Sequence, residues 1–149
     1  MNRKLNLLFV FVVALFFIAA CSNQESNNDT SVAVPETISR NYVALTKQVP
    51  QLKALALAAA EMKEDDQERF GDFHVIFCGR NVEQLTDREL MTPYLEMLHN
   101  AGAKLFACGF SLLQFNIDEE ELPDGIEVVE NGIAYSLKMK KNGAFSIDQ

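Results

Sequence analysis

Two cysteine–glycine steps have the residue types to do chemistry: Cys78-Gly79, closing FHVIFC (73–78), and Cys108-Gly109, closing KLFAC (104–108). The chemistry would be that of a nucleophilic thiolate. A cysteine of ordinary pKa, about 8.5, is only slightly ionised at neutral pH, so a reactive one needs donors or positive charge around it. Backbone N–H groups at a helix start can lower a thiol pKa and hold an anion. Gly109 permits close backbone approach after Cys108, and Ser111 can begin a helical turn. Arg80, just past Cys78-Gly79, is the electrostatic candidate for pairing an anion at the same cleft. Against this stands the reading of both cysteines as inert core thiols, since free cysteine is among the most buried residue types. The residues alone leave both open.

Other polar groups carry weaker signals. His74 lies inside an apolar run and reads as a core histidine, whereas His99 belongs to an amphipathic stretch and should face solvent. No C-x2–4-C or H-x3–5-H spacing supports a structural zinc site. Asp118-Glu119-Glu120-Glu121 lacks the alternating ligands and central glycine of a calcium loop and reads as a solvated acidic turn. There is no Gly-rich phosphate loop and no nucleophile elbow. Neither metal nor cofactor is expected.

The elements that must position the cysteines follow from the hydrophobic pattern. NYVALT (41–46) predicts a strand, and LKALALAAAEM a helix from Pro50 to about Lys63. The charged KEDDQER (63–69) should end that helix, with Gly71-Asp72 turning the chain into the FHVIFC strand. That strand is apolar on both faces apart from His74, as at the centre of a parallel sheet. Thr86 or Asp87 can cap a second helix whose buried stripe is Leu90, Tyr94, Leu98 and Ala101, with Pro93 in its opening turns and Gly102 at its end. KLFAC is then a third strand, IEVVE (126–130) a fourth, GIAYSLKMKKNG (132–143) a helix closed by Gly143, and AFSI (144–147) a last short strand. Strands alternating with helices predict an α/β domain, three layers deep, around a mainly parallel sheet of about five strands. In such sheets chemistry gathers at the carboxyl ends of strands, where both cysteines fall.

The ends and the charge bound the setting. Arg3 and Lys4 precede LNLLFVFVVALFFIAA, sixteen residues without a charge, and the run stops at Ile18-Ala19-Ala20-Cys21. This is the layout of a secretory signal, and its end resembles a bacterial lipobox, with Cys21 as the lipidated residue. A plain signal peptide and an uncleaved anchor helix are the alternatives. Ser22 after the cysteine, by resemblance to enterobacterial sorting, points to the periplasmic face of the outer membrane. Residues 22–37, SNQESNNDTSVAVPET, are polar and without periodicity, and read as a flexible tether holding the domain about 20 Å from the bilayer. The expected organisation is signal peptide 1–20, lipidated cysteine and tether 21–37, and one domain over 38–149 that folds without the rest. Removing Arg3 and Lys4 takes the formal charge from −8 to −10, which argues against nucleic acid or anionic lipid as partner. With Cys21 lipidated, two cysteines in such a domain are not a disulfide scaffold.

Residues 102–147, GAKLFACGFSLLQFNIDEEELPDGIEVVENGIAYSLKMKKNGAFSI, resemble the C-terminal half of DsrE/DsrF-like proteins. The shared order is Gly-Ala, a short strand, Cys-Gly, an apolar–polar segment, an acidic loop ending in Pro-x-Gly, a Val-containing strand and a closing helix–strand pair. HVIFCGRNVEQL (74–85) resembles the family's second strand and loop, with Cys78-Gly79 where many members carry His-Gly. The resemblance implies a compact α/β/α fold, trimeric or hexameric assembly, and a place in sulfur relay, with sulfane sulfur carried as a persulfide on Cys108. Cys78 and Arg80 would line that site. A different class of function keeps the fold without the relay, as a binding or assembly module of the cell envelope. Thiol–disulfide exchange between Cys78 and Cys108 is a third reading; no C-x-x-C motif supports it.

Overall fold

The computed structural model describes residues 38–148; the expected signal peptide (1–20), Cys21 and the expected tether lie outside the described residues. Five strands form one parallel sheet: β1 (Arg40–Thr46), β2 (Phe70–Phe77), β3 (Ala103–Cys108), β4 (Ile126–Val129) and β5 (Phe145–Asp148), in the order β4-β3-β2-β1-β5. Four helices connect them: α1 (Gln51–Asp66), α2 (Arg88–Ala101), α3 (Gly109–Gln114) and α4 (Gly132–Lys141). The chain steps outward from β1 to β4 and then returns across the sheet to add β5 beside β1. Because parallel crossovers are right-handed, that reversal puts α4 on the face opposite α1 and α2. The result is the α/β/α layering expected from the pattern, with every strand pair parallel.

Side chains alternate along each strand, so each face is set by every second residue. Phe73, Val75 and Phe77 of β2 and Leu105 and Ala107 of β3 join the larger core with Leu52, Leu55 and Ala59 of α1 and Met91 and Leu98 of α2. Ile76, Cys78, Phe106 and Cys108, with Val43 of β1, form the smaller core under α4, where Tyr135 and Met139 pack.

Three local expectations need correction. Helix α1 ends within 63–69 as expected, but at Asp66 rather than about Lys63, and tightens into a 3-10 turn at Gln67–Arg69. Buried Asp66 holds it there, bound by Arg40 Nη1 at 2.5 Å and by the Tyr42 hydroxyl. Gly71-Asp72 is not a turn but the start of β2, where a Cβ on Gly71 would collide with the Ser39 and Asn41 side chains. The glycine serves close strand approach, beside a register shift between Arg40 and Tyr42. In α2 the buried stripe begins at Met91, and Leu90 is 38% exposed. Seven residues bring Met91 back to within about 20° of Leu98, whereas eight leave Leu90 about 80° away. Asp87 is the cap, its carboxylate accepting from the Leu90 N–H at 3.0 Å.

Candidate functional site

Cys108 is the last residue of β3 and Cys78 follows the last residue of β2. The two strands pair in register as far as Phe77 and Ala107, which places the cysteines side by side one step further along. Both point to the α4 face and both are buried, Cys78 at 6% and Cys108 at 3% exposure. They are free thiols, close enough for each to influence the other's ionisation.

The start of α4 closes over them. The Asn131 side chain caps this helix by accepting from the Ile133 and Ala134 N–H groups, both at 3.1 Å. The N–H of Gly132, its first residue, is thereby left to point inward, and it donates to Cys108 Sγ at 3.2 Å. Only glycine fits there: a Cβ would stand 2.6 Å from Cys78 Sγ, 2.6 Å from Ile76 Cγ2 and 3.2 Å from Cys108 Cβ. Ser111 supplies the other side. Its hydroxyl oxygen accepts from the Gly79 N–H at 2.9 Å, freeing the hydroxyl proton for Cys108. The Ser111 N–H also acts on the sulfur, though without the geometry of a regular capping bond.

These donors separate the two thiols. Burial alone would push Cys108 up, but the Gly132 N–H, the hydroxyl and N–H of Ser111 and the Cys78 thiol outweigh it and hold its pKa below the ordinary thiol value. Cys78 has no such donors. Burial, then the charge and hydrogen bond of Cys108, push it up to about 12, and Lys47 opposes this weakly. The pair is therefore asymmetric, with the proton held more tightly on Cys78 than on Cys108.

The other predicted residues are placed elsewhere. Arg80 is exposed at the start of a 3-10 segment (Arg80–Thr86), its guanidinium 5.7 Å over the Phe115 ring; the cation that acts on Cys78 is Lys47. His74 lies on the cysteine face two steps before Ile76, its ring tilted 55° against that of Phe106 with centroids 4.7 Å apart, and with Nδ1 2.9 Å from the Tyr135 hydroxyl. Its buried Nε2 has no hydrogen-bond partner, and Asp72 Oδ1 is 3.7 Å away. Burial holds His74 below the ordinary imidazole value, so it sits in the core as a neutral ring. His99 is exposed near the end of α2. Among the described residues no group of three or more His, Cys, Asp or Glu is placed to share a metal ion. An open groove of about 540 Å³, lined by Gly109, Phe110, Leu113, Val128 and Glu130, runs beside the Cys108–Gly109 step.

Sequence reading missed Gly132. A helix start near Cys108 was expected from the residues that follow it, yet the best-placed donor comes from a helix twenty-four positions on. The available signal was Asn131-Gly132, a capping residue and a residue without a side chain ahead of an apolar stretch.

The DsrE/DsrF-like family model matches residues 50–143, from the start of α1 to the end of α4 and including both cysteines and Gly132. The chain belongs to the DsrE/DsrF-like family. Two solved structures share the fold of this DsrE-like chain. One, the protein of unknown function MTH1491 from Methanobacterium thermoautotrophicum, is 20% identical, with a TM-score of 0.59 over 74% of this chain and 99% of its own. The other, the conserved protein of unknown function BT1422 from Bacteroides thetaiotaomicron, is 18% identical, with a TM-score of 0.55 over 73% of this chain and 94% of its own. At these identities they speak for the fold alone. No curated protein matches the DsrE-like chain.

Proposed function

We propose that this DsrE-like protein carries sulfane sulfur as a persulfide on Cys108. The observation that carries the reading is the Gly132 N–H donating to Cys108 Sγ at 3.2 Å, among donors that hold the thiol below its ordinary pKa in spite of burial. A thiolate is what attacks a sulfane sulfur, and the same N–H groups suit the anionic terminal sulfur that results. Cys78, protonated, is the accessory donor. In this reading residues 1–20 are a lipoprotein signal, Cys21 is the lipidated anchor, and the tether presents the domain at the periplasmic face of the outer membrane. Exposed Phe110, Leu113, Ile133 and Leu137, on α3 and α4, support assembly into a trimer or hexamer or docking of a sulfur donor or acceptor.

A second reading, a binding or assembly module of the same fold, is favoured by the 3% exposure of Cys108. Mass measurement after exposure to polysulfide separates the two. A carrier gains about 32 Da per sulfur, and the gain disappears in Cys108→Ser but persists in Cys78→Ser. No adduct under native conditions, with Cys108 alkylated only after unfolding, would make the module the correct reading. Anchoring has its own check: Cys21→Ser should move the protein from the membrane to the soluble fraction.

A further inference from the structure

We propose that Cys78 is the resolving thiol of Cys108: when Cys108 bears a persulfide or a sulfenic group, the Cys78 sulfur displaces that group and closes a disulfide between β2 and β3. Three observations place the thiols for this. They lie one step beyond the in-register pair Phe77 and Ala107 on adjacent parallel strands. Neighbouring strands run about 4.7–4.9 Å apart, within the Cα separation of about 4.4–6.8 Å that a disulfide spans. Both side chains lie in the same small core under α4, where one point at the Gly132 Cβ position is 2.6 Å from Cys78 Sγ and 3.2 Å from Cys108 Cβ. The space between them and the helix is so small that a single methyl group on Gly132 would meet both residues.

The persulfide case rests on the reading of Cys108 as a sulfur carrier. There the bond between Cys108 Sγ and its terminal sulfur breaks, the Cys78–Cys108 bond forms, and the terminal sulfur leaves with the Cys78 proton as hydrogen sulfide. The sulfane sulfur is itself the oxidant, being reduced to sulfide as the two cysteines are oxidised. The sulfenic case is independent of that reading. Hydrogen peroxide converts the Cys108 thiolate to the sulfenic acid with release of hydroxide, and displacement by Cys78 then releases water. In either case an external dithiol, oxidised to its own disulfide, restores the pair. A loaded Cys108 that meets no acceptor would thus discharge as sulfide rather than persist.

The test uses the full chain with Cys21→Ser, reduced, and treated separately with hydrogen peroxide and with polysulfide. Expected from peroxide is a mass loss of about 2 Da, disappearance of both alkylatable thiols, and a linked Cys78–Cys108 peptide after digestion. Cys78→Ser and Cys78→Ala should instead stop at a Cys108 sulfenic acid trapped by a dimedone-type reagent. From polysulfide, the expected result is a gain of about 32 Da that decays to the disulfide with sulfide release, and that survives much longer in the Cys78 variants. A linked peptide from peroxide with no persulfide in any variant would keep the resolving pair and overturn the carrier. A persulfide equally long-lived with and without Cys78, and a stable sulfenic acid in the unsubstituted pair, would keep the carrier and overturn the resolving pair. No reaction at either cysteine in the folded protein would overturn both, and the unsubstituted pair gives this answer whether or not a variant folds.

Discussion

Gly132→Ala tests whether the start of α4 is what holds the Cys108 thiolate. Gly132 is buried and its backbone lies in the helical region, so alanine meets no conformational strain and would on propensity alone favour the helix. The obstacle is steric. The added methyl would stand 2.6 Å from both Cys78 Sγ and Ile76 Cγ2, where contacts between non-bonded atoms settle at about 3.5–4.0 Å. Cys78 can turn away about one bond, but Ile76 is fully buried near the end of β2, the central strand, and cannot. The first turn of α4 must then retreat by roughly 1 Å, which lengthens the 3.2 Å bond from the Gly132 N–H to Cys108 Sγ beyond hydrogen-bonding range. Two consequences follow together. Overpacking of this kind costs about 1–3 kcal/mol, read as a lower urea midpoint with an unchanged slope. Cys108 also loses its best-aligned donor, so its pKa rises while burial continues to oppose the thiolate.

The assay is the pH profile of Cys108 alkylation, followed by peptide mass so that Cys78 is scored separately. The midpoint of the profile is the readout, because loosening α4 also changes access and hence the plateau rate. A midpoint moved to higher pH, with the loss of stability, is the expected result. An unmoved midpoint alongside the expected destabilisation would refute the role of the Gly132 N–H, and an unmoved urea midpoint would refute the packing.

Two buried side chains set the pH dependence of stability. His74 is held below the ordinary imidazole value by burial, with Asp72 and Glu127 opposing and Lys104 adding to the effect. A base whose pKa is depressed on folding is protonated more readily in the unfolded chain, so stability falls as pH drops below about 6.5 until the folded value is passed. His74→Phe keeps an aromatic ring against Phe106 and should flatten that part of a urea-midpoint profile; an unchanged slope would show that His74 does not titrate there. Asp66 is held low first by the Tyr42 hydroxyl and then by Arg40, against burial. Its contribution is present above the ordinary carboxylate range and is lost as pH falls through the folded value. Tyr42→Phe should therefore move the acid-unfolding midpoint to higher pH, and no movement would mean that the Tyr42 hydroxyl does not stabilise the carboxylate.

The parts of the fold that depend on period and composition were legible in the sequence. The FHVIF segment, apolar on both faces apart from His74, does lie at the centre of the sheet, with β1 and β3 on either side. The misread positions are those where a distant partner overrides a local signal. KEDDQER does end the helix, but at Asp66 rather than about Lys63, because Asp66 is buried against Arg40 and Tyr42 of β1. Gly71-Asp72 looks like a turn because turns use those residues, yet the glycine is there for Ser39 and Asn41. The candidate site divides in the same way. The position of the cysteines at strand ends follows from the pattern of short apolar runs. Their adjacency depends on β2 and β3 being neighbours in register, and the donors to Cys108 come from Gly132, beyond an acidic loop and a further strand. Sequence spacing carries no information about that contact.

The two cysteines also serve as controls for one another. They sit in the same layer, at nearly the same depth, against the same glycine. If burial governed both, both thiols would be raised, since removing a thiolate from water always favours the neutral form. Cys78 behaves in that way and is pushed up to about 12. Cys108 moves in the opposite direction. Depth cannot account for the difference; the donors can, because a peptide N–H from α4 and the Ser111 groups converge on one sulfur and not on the other. The cover over that sulfur is also thin. The core on this face has five buried apolar residues, two of them the cysteines, and the ten-residue α4 packs over it with Ile133 and Leu137 each 60% exposed. An inert thiol would need none of this polarity around it, and in the proposed carrier a small displacement of one short helix would bring Cys108 to a sulfane sulfur.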